Sequence, residues 1–245
     1  MIKLKVDNKQ TLINNFLSPI SKLTENAVIK VRDKEITSLS TSNDGTLIVN
    51  CTVPQVNDID ETIFLNVPDI NKFIKVLSCI ADEGVEVLYN NNNLEYKSPT
   101  VGFKYHLLDD GIIDPPSVNI EKIKKIDFPF KFSMDSVVVN QLIKASTFTT
   151  DTNKIYFSCK EGTVSATLTD RQRHNVDSYS QQVASEYNGD ELPKELALSF
   201  ETLRIISTIR FENLTVHINP DLNVFLFQIE MQGSNIMIVS SGFVG

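Results

Sequence analysis

The sequence predicts an α+β protein in which a βαβββ pattern occurs four times, grouped as two similar domains. Three observations carry this. Acids recur at positions 7, 69, 135 and 201, spaced by 62, 66 and 66 residues. A short amphipathic stretch follows each acid, and alternating strands separated by turns follow each stretch. Repeats of this kind set the architecture before any single element is assigned.

The helical stretches open with residues that suit a helix start. Ser133-Met134-Asp135 and Ser199-Phe200-Glu201 place an acid two positions after a serine, and Asp69 follows Asn66, Val67 and Pro68; the first stretch begins near Asp7. An acid in the first turn interacts favourably with the unpaired N–H groups there, Ser or Asn can cap them, and Pro68 suits the first helical position. Apolar stripes follow: Leu12, Ile13, Phe16, Leu17 and Ile20; Ile70, Phe73, Ile74 and Leu77; Val138, Leu142 and Ala145; Leu203, Ile206 and Ile209. Pro19 should end or kink the first helix near Ser18. Helices this short are unstable alone in water, so each must pack its stripe on a sheet.

Strands follow in order. The first unit offers 27–31, a turn at Asp33-Lys34, 36–40, a turn at Asp44-Gly45, and 47–53. The second has 85–89, an Asn-rich turn at 90–93, 94–97 and 101–108. In the third, 155–160 and 164–168 flank a turn at Glu161-Gly162. The fourth has 214–218, a turn at Asn219-Pro220-Asp221, 224–231, Gln232-Gly233 and 235–240. Gly111, Pro115 and Pro116 mark 109–125 as a connector between an N-terminal domain, 1–108, and a C-terminal domain, 126–245.

At 245 residues the chain is long enough for two modest domains with sizeable cores. Its 41% apolar and 22% charged residues describe a folded protein rather than a disordered one. No apolar run approaches the ~18–20 residues that cross a bilayer, and Met1-Ile2-Lys3-Leu4-Lys5 reads as a strand, not a signal peptide. Cys51, Cys79 and Cys159 are scattered and odd in number, which points to a reducing, cytoplasmic compartment without a disulfide framework. A net charge of −8 excludes a wholly basic nucleic-acid coat, but what decides DNA binding is where the 23 cations sit. The four helical segments 8–22, 69–80, 135–147 and 201–211 together carry +4, leaving −12 for everything else.

Four βαβββ units in two domains resemble the DNA sliding clamps, at the length of the trimeric, two-domain kind such as proliferating cell nuclear antigen. Phe128-Pro129-Phe130, and the run from Ile155 through Glu161-Gly162 to Leu168, resemble tailed-bacteriophage polymerase clamps in particular. The resemblance implies a clamp fold, with helices lining a ring and antiparallel sheets outside. It further implies a homotrimer around double-stranded DNA, tethering a replicative polymerase and, for a viral protein, working in the host cytoplasm. It assigns Lys9, Lys22, Lys72, Lys75, Lys144, Arg204 and Arg210 to the DNA-facing surface. Strands 101–108 and 174–183 become the subunit joint, with Phe103, Tyr105 and Leu107 meeting His174, Val176 and Tyr179; an ordinary place in the sheet interior is equally compatible with Phe103, Tyr105 and Leu107. Ile112, Ile113, Val118 and Ile120 of the connector, with Phe243 and Val244, would form a pocket for partner peptides; the same connector side chains could equally fold back on the sheet.

No GxxxxGK[ST] loop is present, so an ATP-dependent loader must be a separate protein. His106, His174 and His217 lie in separate strands without metal-ligand spacing, and Asp109, Asp110 and Asp114 lack the closing Glu of a calcium loop. Asp170-Arg171-Gln172-Arg173-His174 is the densest basic cluster, readable as a phosphate contact or as a solvated turn. No catalytic constellation, cofactor site or membrane partner is expected. Two other classes stay open: a ring-forming structural or assembly protein, and an α+β enzyme whose site assembles from distant residues.

Overall fold

The computed structural model describes residues 2–149, 152–173, 175–189, 191–231 and 233–243. It divides into two compact units: Met1–Ser117 with Glu230–Ile236, and Val118–Ile229 with Met237–Gly245.

In the first unit, β1 (Ile2–Val6), β4 (Val85–Asn90), β5 (Asn93–Lys97) and β6 (Gly102–His106) form an antiparallel sheet in that order. A long hairpin, β2 (Ala27–Thr41) and β3 (Leu47–Val67), packs opposite. Strands 27–31 and 36–40, expected to be separate, are one continuous strand. The predicted turn at Asp33 is a local bulge in which Asp33 takes φ 51° and the register with β3 slips on either side. The hairpin therefore keeps its apolar alternation, and Val31, Val49, Cys51 and Val53 are fully buried.

Two helices close this unit. The first starts at Lys9–Thr11, widens into a π-helical stretch Leu12–Leu17, and ends as Ser18–Ser21. Pro19 was expected to end or kink it near Ser18. The helix does not end there: it departs from α geometry just before the proline, in a wider turn where Ser18 N–H reaches Ile13 O, and Phe16, Leu17 and Ile20 stay fully buried. The second helix is Ile70–Ser78. Pro68 does not occupy its first turn: it precedes the cap, Asp69, whose side chain accepts the Lys72 N–H at 2.8 Å.

In the second unit, β11 (Leu196–Ser199), β8 (Lys154–Lys160), β9 (Thr163–Leu168) and β10 (Tyr179–Ala184) form one antiparallel set. The other contains β7 (Phe130–Asp135), β12 (Asn213–Asn219), β13 (Val224–Met231) and β14 (Ser234–Ser241), adjacent in that order. Helix Ser136–Ala145 follows β7 and helix Glu201–Ile206 follows β11, each repeating the strand–helix step of the first unit. The core between the two sets is aromatic, with Phe130, Phe157, Phe225 and Phe227 fully buried and Phe157 5.8 Å from Phe225. The strand expected over 174–183 starts only at Tyr179, opposite Leu168; ahead of it Asn175 takes a left-handed φ of 60°. A single turn, Ile120–Ile123, capped by Asn119, lies in the connector where no helix was expected.

Candidate nucleic-acid and partner-binding surfaces

The helices hold their cations in place through local capping. Asp135 accepts the Val138 N–H at 2.7 Å and Asn8 accepts the Thr11 N–H at 3.0 Å, as Asp69 does for Lys72. Glu201 sits in the first turn of its helix, which has no side-chain cap. Asp69 and Asp135 are thereby spent on backbone N–H groups, away from the middle turns.

Lys22, Lys72, Lys75, Lys144, Arg204 and Arg210 are exposed. Lys72 and Lys75 stand on one helix whose opposite side buries Ile70, Phe73 and Leu77. Arg204 is held by Glu201 at 2.8 Å and lies over the Phe200 ring, so part of its charge is already answered. Lys9 corrects the expectation made for it: it is 5% exposed, and its ammonium donates to the carbonyl of Ile80. Its own N–H donates to Glu83 O at 2.7 Å, which turns the side chain inward to fasten the helix start.

Several strand edges are covered within their own unit. Asn57 donates to Lys3 O on β1 at 2.8 Å, Phe243 N–H donates to Ala197 O on β11 at 2.7 Å, and Lys131 on β7 bridges to Asn188. Among the described residues β6 pairs with β5 alone, β10 with β9 alone, and β2 with β3 alone. Along β6, Tyr105 and Leu107 are buried inside the first unit, so they do not supply the exposed row expected of a joint. Phe103 is the half-exposed member, stacked on Tyr96 at 5.5 Å. On the other strand Tyr179 and Val176 are half-buried, Val176 lying before the strand begins; His174 falls outside the described residues.

A cleft of about 100 Å³ in the first unit runs between β2 and the connector, lined by Thr24, Val28, Leu39, Thr41, Ile113 and Pro115 among others. Of the six residues expected in a partner pocket, Ile113 lines it. Ile112 is 65% exposed beside it in the chain. Val118, Ile120 and Phe243 belong to the second unit, Phe243 lying under the Lys154 ammonium at 5.0 Å, and Val244 falls outside the described residues. Leu39 and Thr41 were not foreseen, since nothing in their spacing distinguishes a strand residue facing a connector from any other.

The cluster at Arg171 and Arg173 is largely neutralised: Arg171 pairs with Glu195 at 2.6 Å over the Tyr156 ring, and Arg173 lies 3.4 Å from Asp170. That favours the solvated turn over a phosphate contact. His217 sits against Phe128, and burial, then the charge of Lys131, lowers its pKa below 6.5. Among the described residues no three His, Cys, Asp or Glu side chains stand close enough to hold a metal, and no helix is long and apolar enough to cross a membrane.

Repeated strand–helix units, paired two by two with antiparallel sheets, define the sliding-clamp fold. Solved structures carry the same arrangement over the full chain. A complex of the C-terminal region of FEN-1 with A. fulgidus PCNA superimposes with a TM-score of 0.81 at 19% identity, covering 100% of this chain and 99% of that one. The PCNA2–PCNA3 complex from Sulfolobus tokodaii gives 0.77 at 12% identity, covering 98% and 99%. Proliferating cellular nuclear antigen from Entamoeba histolytica gives 0.79 at 11% identity, covering 99% and 98%. No protein-family model and no curated protein matches the sequence. The fold is therefore that of the sliding clamps, reached at sequence identities where only the architecture is shared. The likeness of the second half to bacteriophage clamps finds no counterpart in these three structures.

Proposed function

We propose that the chain is a non-catalytic processivity clamp: three copies close around duplex DNA and tether a replicative polymerase. The observation that carries this is the clamp fold running end to end through the chain, with 100% of it covered at a TM-score of 0.81. Two features of the molecule support it. Exposed cations stand on the helices, Lys72 and Lys75 together on one of them, in a chain whose net charge is −8. Moreover, among the described residues β6 and β10, like β2, each pair with one strand alone, and pairing β6 with β10 between copies would give two of these strands a second partner.

Phosphate contacts of this kind are blind to base sequence and weaken with salt. Few cations per chain keep direct affinity low, which suits a ring that must slide; retention is then topological. Opening such a ring needs energy from a separate ATPase loader. The cleft beside Ile113 is the proposed seat for partner peptides, in keeping with the FEN-1 C-terminal region seen on the A. fulgidus clamp.

Light scattering, followed by retention on circular against linear DNA after loading, tests the reading. Three copies in solution and selective loss from linear DNA are expected. A monomer at micromolar concentration, or equal retention on both forms, would overturn it.

A further inference from the structure

Asn66 stands near the end of β3 on the same face as Phe64, since side chains two apart along a strand point the same way. A solvent-facing row suits Asn better than Phe, yet Phe64 is 49% exposed and Asn66 only 6%. A polar side chain so covered must find hydrogen-bond partners. It finds them in the connector. Its amide donates to a carboxylate oxygen of Asp110 at 2.8 Å and to the carbonyl of Leu108 at 3.4 Å. Its own backbone carbonyl accepts the Leu108 N–H at 2.9 Å.

Beyond this anchor little else holds the chain. Gly111 turns it with a φ of 82°. From Gly111 to Pro116, among the described residues, the one hydrogen bond runs from Ile112 N–H to Asp109 O at 3.4 Å. Ile113, Asp114, Pro115 and Pro116 nevertheless line the cleft beside β2. Val28, the cross-strand neighbour of Asn66, lines it as well. Asn66 therefore fastens the connector to the strand pair that supplies part of the cleft.

We infer that Asn66 is the positioning residue of this cleft: with Asp110 it latches the connector onto β3 and fixes the wall formed by Ile113 to Pro116. This rests on the proposed seating of partner peptides there, and it names what keeps that seat in shape. A hydrogen bond to an ionised acceptor is the stronger kind, which suits a single-point latch. A wall fixed in advance spares an incoming peptide the cost of ordering it. Loss of the latch should thus weaken capture, although neither Asn66 nor Asp110 lines the cleft.

Asp110 is exposed, so Asp110→Ala should release the latch and leave the fold intact. Backbone nitrogen relaxation reads the result. Order parameters over 111–114 should fall from about 0.85 to below about 0.6, with those of β2 and β3 unchanged. Asn66→Asp should do the same by setting two carboxylates together. Adding Asp110→Asn, which moves the donor to the other side, should restore order. The C-terminal region of FEN-1, titrated as a probe, should bind the Asp110→Ala chain about tenfold more weakly than the unaltered one. Unchanged order parameters in Asp110→Ala, or no rescue by the paired exchange, would overturn the latch. Failure of the unaltered chain to bind the probe, with the order parameters behaving as expected, would uphold the latch and overturn the peptide seat instead.

Discussion

The hydroxyl of Tyr105 donates to the carbonyl oxygen of Asp69 at 2.6 Å and accepts the Asp69 N–H at 3.2 Å, while its ring lies 5.0 Å from Phe73. One side chain on β6 therefore grips the cap of the helix that carries Lys72 and Lys75, and the strand edge and the cationic helix are held as one piece.

Tyr105→Phe keeps the ring contact and loses both hydrogen bonds. Stability should fall by about 1 kcal/mol, read as a lower urea midpoint with an unchanged slope. Burial, reinforced by the charge of Asp69, raises the Tyr105 pKa above 10. The folded state thus holds its proton after the unfolded state has lost it. The stabilisation is complete below pH 10 and drains away as pH rises past that value, a dependence the Phe variant should lack.

Lys9 and Lys72 are both lysines on helices, yet they should respond oppositely to substitution. Lys9→Met strands the Ile80 carbonyl in the core and should cost about 1–3 kcal/mol of stability. Lys72→Glu with Lys75→Glu, both exposed, should leave the melting temperature within about 2 °C and impair loading and processive synthesis. Synthesis untouched by the double reversal would remove that helix from the DNA surface.

Phe103 is the half-exposed aromatic on the open β6 edge. If that edge joins the next copy, Phe103→Glu should shift the scattering mass from three chains toward the single-chain 27.5 kDa, with circular dichroism unchanged. An unaltered mass would place the joint elsewhere.

Gly189 takes φ +102°, and a Cβ there would stand 1.7 Å from the carbonyl oxygen of Pro129. No side chain can move to relieve this, because the obstacle is backbone on the segment entering β7. Gly189→Ala should cost about 3 kcal/mol or more, seen as an early melting transition.

What the sequence made legible was local chemistry. Asp69 and Asp135 announce helix starts because a cap reaches an N–H only three residues on. Strand alternation survives in β8 and β9 because each pairs with its neighbour across a two-residue turn. Lys9 could not be placed this way, since the carbonyl that holds it lies 71 residues later. The bulge at Asp33 and the widened turn before Pro19 are local too, but both are cases where tertiary burial of flanking apolar residues overrode the usual punctuation. In the cleft beside the connector, Ile113 was readable as an apolar residue in an acidic loop. Leu39 and Thr41 were not, because only the folded path of the connector brings them beside it.

The widened turn at Leu12–Leu17 also bears on how this chain tolerates changes of length. Such a turn is a helix that has absorbed a surplus residue without rotating what lies on either side. Deleting one position there would let the segment tighten to ordinary α geometry with Lys9 and Ile20 still facing inward. The same deletion within Ile70–Ser78 would swing everything downstream by about 100°.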